Sequence, residues 1–217
     1  MSPVKISKPA FVAMMLMLMP ISCTTNAPTE NNPDVIHTSR IFHSRTPSIP
    51  DSEFAIVQTL FRQNNLDPSN LQIYGLLTDQ GGYYVRASQF YLGLEFFTND
   101  LAFVFDSFGT LSSMSGGIIG SFPLDTIPKA ALHDAGRLYD SLIAADPRYR
   151  DSLDTFRSKG FNAELGIYDL NTGKSYDFPD FVLCWKMTVA QSGGWPIGYL
   201  RADSLKLVYY NNAVIVD

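Results

Sequence analysis

Apolar positions along this chain change their period several times, and each change marks an element. Phe54, Val57, Leu60 and Phe61 recur at helical spacing behind Pro50-Asp51-Ser52-Glu53, which places a proline and two acids in a first helical turn. Asn64-Asn65 and Asp67-Pro68 end that helix. Leu71 to Thr78 then predicts a strand, Asp79-Gln-Gly-Gly82 a hairpin turn, and Tyr83 to Phe97 a long strand with Gly93 at a bend. The ribbon from Val85 to Gly116 is dense in aromatic and β-branched residues. Turn formers interrupt it at Thr98-Asn99-Asp100 and Ser107-Phe108-Gly109, so it predicts three consecutive antiparallel strands.

The second half repeats this order. Leu124 to Ala145 predicts a helix, opened by Asp125-Thr126-Ile127-Pro128 and carrying an apolar stripe at Ala131, Leu132, Ala135, Leu138, Leu142 and Ile143. Arg148 to Lys159 predicts a second helical segment closed by Gly160. Phe161 to Leu170, Phe181 to Ala190, Trp195 to Ala202 and Leu205 to Val216 predict four strands, with turns at Asn171-Thr-Gly173 and Ser192-Gly-Gly194. The expected fold class is α+β: two modules, 50–120 and 121–217, each laying a helix on an antiparallel β-meander. Ser115-Gly-Gly-Ile-Ile-Gly120 between them lacks phosphate-loop spacing and is expected to be a flexible connector.

Ahead of the modules, Lys5 and Lys8 precede an apolar run from Phe11 to Met19 of secretory-signal length, so 1–22 is expected to be a signal peptide. Cys23 follows Pro20-Ile21-Ser22 in a bacterial lipobox-like arrangement, which makes it the expected lipidation site and membrane the first expected partner. Each buried CH₂ of an acyl chain contributes ~0.8 kcal/mol, so two or three chains anchor stably. Residues 23–49, rich in Pro, Thr, Asn and Ser, are expected to form a flexible tether with a reach of roughly 25 to 30 Å. The expected location is the bacterial cell envelope, outside the cytoplasm.

Composition narrows the chemistry. With 46% apolar and 17% charged residues the chain suits a packed globular body. Loss of Lys5 and Lys8 from 16 basic residues leaves 14 against 21 acidic, a net charge of −7, and there is no basic stripe to replace phosphate counterions. Nucleic acid is therefore not an expected partner. His-Glu-x-x-His and Gly-x-Ser-x-Gly are absent, and two of the three histidines, His37 and His43, fall in the tether. No catalytic residue, metal ligand or cofactor is expected. Cys184, set between Leu183 and Trp185, is expected to be a buried, inert thiol.

Two stretches resemble known protease propeptides. Arg86-Ala-Ser-Gln89, Tyr91-Leu-Gly93-Leu94-Glu-Phe96, Leu101 to Asp106 and Gly109 to Gly116 resemble the fungalysin/thermolysin propeptide motif. Val182 to Val189 and Pro196 to Ser204 resemble the PepSY strands that follow it, with Leu205 standing where that family has a turn glycine. The resemblance implies cystatin-like modules and a non-catalytic envelope lipoprotein that binds a protein partner, a peptidase in trans among the candidates. Arg86, Gln89, Tyr91 and Trp195 are the expected binding residues. The alternatives are a structural component of an envelope assembly and a carrier of small hydrophobic ligands.

Overall fold

The computed structural model describes residues 34–38, 42–174 and 178–212; the expected signal peptide and Cys23 lie outside the described residues. Three α-helices pack on a mixed, mostly antiparallel sheet. The strands are β1 (Val35–His37), β2 (Leu71–Asp79), β3 (Gly82–Tyr91), β4 (Leu94–Asp106), β5 (Leu111–Ser115), β6 (Phe161–Asp169), β7 (Phe181–Val189), β8 (Ile197–Arg201) and β9 (Leu207–Asn211). The helices are α1 (Asp51–Gln63), α2 (Leu132–Ala145) and α3 (Leu153–Lys159), with a 3₁₀ turn at Pro147–Ser152.

The sheet runs β2-β3-β4-β6-β7-β8-β9, with β5 beside β4 and β1 beside β6. Among the described residues its two halves pair in parallel at Glu95 with Gly166 and Phe96 with Ile167. Beyond that join β4 is covered by β5, and β6 by β1. Each half has its own helix and core. In the first, Val57, Leu60 and Phe61 of α1 pack on Ile73, Val85, Leu101, Phe103 and Phe105. In the second, Ala135, Tyr139 and Ile143 of α2 pack on Phe161, Trp185, Met187 and Leu200. The α1 stripe is the one the spacing predicts; α2 uses Tyr139 as its main anchor, a residue outside the expected stripe.

Two local expectations are corrected. The β3–β4 turn is not at Thr98-Asn99-Asp100 but at Leu92-Gly93, both at positive φ (51° and 82°), with Tyr91 paired to Leu94. Two left-handed residues in a row match the twist of the flanking strands. Thr98 and Asn99 instead occupy a bulge, where β3 advances from Ser88 to Phe90 while β4 advances from Glu95 to Asp100. The second-half helix begins at Leu132, because Lys129 and Ala130 donate their backbone N–H groups to Ala202 O (2.9 and 2.8 Å) and Ala131 is extended.

The tether expectation changes most. Val35–His37 forms a parallel strand on β6, Ser44 and Thr46 exchange backbone hydrogen bonds with Ile73 of β2, and Ile49 is buried. Composition argued for a coil, but β2 and β6 present sheet edges whose backbone groups this segment pairs. His37, exposed at the end of β1, sets its ring against Trp185 at 5.2 Å.

Candidate functional site

Three of the expected binding residues act within the fold. The Gln89 side chain, buried in β3, behaves like a strand neighbour: its Nε2 donates to Ile119 O (2.5 Å), and its Oε1 accepts from Ile119 N and Asn99 Nδ2 (both 2.9 Å). Tyr91 Oη donates to Phe122 O (2.8 Å) and its ring stacks on Phe122 at 4.6 Å. Phe122 also packs against Phe96 and Phe181, so an aromatic cluster fills the seam between the halves. The glycine-rich run expected to be a flexible connector is thus pinned at Ile119 and Phe122. Arg86 pairs with Asp100, which also accepts from Tyr74 Oη, and its guanidinium lies 5.4 Å from the Tyr74 ring centroid. Trp195 is separate from these three, in the loop before β8.

Cys184 is fully buried, and burial pushes its thiol up to about 12, so the thiolate that a nucleophile needs is absent at neutral pH. Among the described residues, no group of His, Cys, Asp and Glu comes together as a metal site. No helix among the described residues is long and apolar enough to cross a membrane.

Two surfaces can hold something. The first is the outer edge of β2. Ser44 and Thr46 pair with it at Ile73; from Tyr74 to Asp79 it meets no strand among the described residues. On it Leu77, 62% exposed, pairs with Tyr84, which in turn pairs with Val104 of β4, and these residues line a shallow cavity of about 220 Å³.

The second is the face of β6–β9 turned away from α2. Phe161, Ala163, Met187 and Val189 enter the core, so strand alternation sends Asn162, Glu164, Lys186 and Thr188 to the opposite face. These four, with Thr38 and Trp195, line a cavity of about 310 Å³. Lys186 Nζ lies 3.5 Å from Glu164 Oε2 and 5.3 Å from the Phe97 ring centroid. Next to it Phe97, Tyr168 and Tyr209 surround Tyr199 at centroid distances of 5.5, 5.0 and 6.3 Å. Burial raises the Tyr199 hydroxyl to about 12, so it stays a neutral donor and acceptor. Trp195 is the only residue of this surface singled out from the sequence. The alternation of polar residues in 162–164 and 186–188 was the available signal for the rest.

Comparison with known proteins finds no matching family model and no matching curated protein. Among solved structures the chain is similar to the Bacillus megaterium YpeB C-terminal domain, with a TM-score of 0.35 and 9% identity, over 79% of this chain and 67% of that chain.

Proposed function

We propose that this chain is a non-catalytic binding module of the bacterial envelope, held outside the cytoplasm by acyl chains on Cys23, that captures a protein partner along β2. The observation that carries this reading is the outer edge of β2 from Tyr74 to Asp79. The chain itself lays a segment against the same edge at Ile73, and an extended partner strand can continue that pairing. Main-chain hydrogen bonds would supply affinity, and Leu77 and Tyr84 the side-chain contacts. The propeptide resemblance makes a peptidase acting in trans the partner class, and the two helix-on-sheet halves are read as cystatin-like modules on the same resemblance. Residues 50–120 form the propeptide-like module in this reading, and 121–217 the PepSY-like one.

The test uses membrane fractions of the producing cell. Cys23→Ala should move the protein to the soluble fraction; unchanged fractionation overturns the acyl anchor. An envelope peptidase should co-purify with the native chain and be lost with Leu77→Lys at unchanged melting temperature. Undiminished co-purification with Leu77→Lys overturns docking at β2.

A further inference from the structure

We propose that the cavity beside Trp195 is a binding site for an uncharged sugar ring. It lies on the second half of the sheet, and the inference does not rest on partner docking at β2.

Charge comes first. The two ionic groups in the cavity face one another, Lys186 Nζ to Glu164 Oε2 at 3.5 Å, with both side chains mostly buried. The site therefore presents donors and acceptors with no net charge, and an ionic ligand would have to compete with the existing pair. Asn162 and Thr188 add neutral groups that both donate and accept, and Thr38, whose Oγ1 donates to Ala163 O at 3.2 Å, adds an acceptor. Sugar hydroxyls also do both, so one ring can satisfy this mixed lining.

Shape and stacking agree with that chemistry. Trp195 stays 39% exposed, and Ser192 Oγ sits between Val189 O and Trp195 O at 2.8 and 2.9 Å, where its single proton bonds one carbonyl or the other. A half-exposed indole offers an apolar face suited to the C–H face of a pyranose. Gly193 and Gly194 form the adjoining wall with positive φ (71° and 91°), where a side chain would be strained. A volume of about 310 Å³ is at the small end of ligand cavities and fits one ring. Tyr199 and the 47%-exposed Tyr209 continue the same face with further rings on which a longer glycan can lie.

The chain carries its own reporter, because Trp185 is 4% exposed and Trp195 is the other of the two tryptophans. The full chain is titrated with cellotriose, maltotriose and the N-acetylglucosamine trimer, and with an N-acetylated alanine tripeptide amide as the peptide probe. At least one trisaccharide should give a saturable fluorescence change with Kd of ~0.1–1 mM, and the peptide none. Calorimetry of Trp195→Ala and of Thr188→Val should show binding weakened about tenfold, a loss of ~1.4 kcal/mol, at unchanged melting temperature. The proposal is overturned if no trisaccharide saturates by about 50 mM, if the peptide alone binds, or if both variants bind sugar as the native chain does.

Discussion

A Cβ placed on Gly166 would lie 2.3 Å from Cζ of Phe97, and 2.7 Å from the carbonyl oxygen of Glu95. Each residue therefore depends on the other: the Phe97 ring crosses β6 at the point where the two halves of the sheet join. From there it meets Lys186 and Tyr199 on the open face. The smallest side chain in the strand is what lets an aromatic from the first half help build the surface of the second.

Gly166→Ala should accordingly destabilise the protein. The ring can turn aside but the Glu95 carbonyl is backbone, so β4 and β6 must separate, at a cost of ~1–3 kcal/mol. Urea denaturation should show a lower midpoint, and Phe97→Ala in the same chain should restore only part of it. A midpoint equal to the native one would show that the join is not sterically set.

Gly136→Ala has an informative sign. Alanine is the better helix former by about 1 kcal/mol, so in open space the change stabilises α2. Here the added Cβ would lie 2.2 Å from Val35 Cγ2, so docking of β1 turns the gain into a loss. Thermal melting should show Gly136→Ala below the native chain, and Gly136→Ala with Val35→Ala above Val35→Ala alone. Stabilisation by the single change would mean that β1 is not held on β6.

Gln89→Leu should leave the Ile119 N–H and C=O groups and the Asn99 amide without the partner they share. Such a loss costs ~1–3 kcal/mol per buried group stranded. Amide exchange at Ile119 should speed up far more than at core residues such as Val85. Equal protection in both proteins would remove the connector-pinning role from this motif residue.

Acid should weaken the β8–β9 hairpin through Asp203. Its carboxylate accepts from Arg201 Nε and Nη2 at 3.0 and 2.6 Å, and Arg201, aided by Ser204, holds it down at about 2. A carboxyl with a folded pKa below its ordinary value near 3.9 adds stability that is fully present above that value. The contribution is lost as pH falls toward about 2. Asp146, lowered by Arg148, acts in the same direction. The acid limb of a stability profile should be shallower in Asp203→Asn between pH ~4 and ~2; an unchanged slope would assign the acid sensitivity elsewhere.

Legibility followed the range of the interaction. The α1 stripe and the burial of Cys184 could be read because a helical period and an apolar strand are local patterns. The Leu92-Gly93 turn was missed because leucine rarely takes positive φ, whereas Thr98-Asn99-Asp100 has turn chemistry that here serves a bulge. Leu205 repeats the lesson, adopting φ 58° where the resembling family has glycine. Of the candidate site residues, Arg86, Gln89 and Tyr91 were legible as important, but their work inside the fold was not. Trp195 was legible as an aromatic, but its cavity was assembled from β6, β7, the start of β8 and Thr38 just after β1.

By itself the sequence determined the order of helices and strands from Pro50 onward, since caps and apolar periods are settled within a few residues of one another. Only the tertiary structure decided that β4 and β6 join in parallel, that β1 docks on β6, and that Trp195 lines one cavity with Glu164 and Lys186. Those contacts rest on backbone groups along sheet edges, which any chain segment can satisfy, so side-chain identity alone does not say which distant segment will.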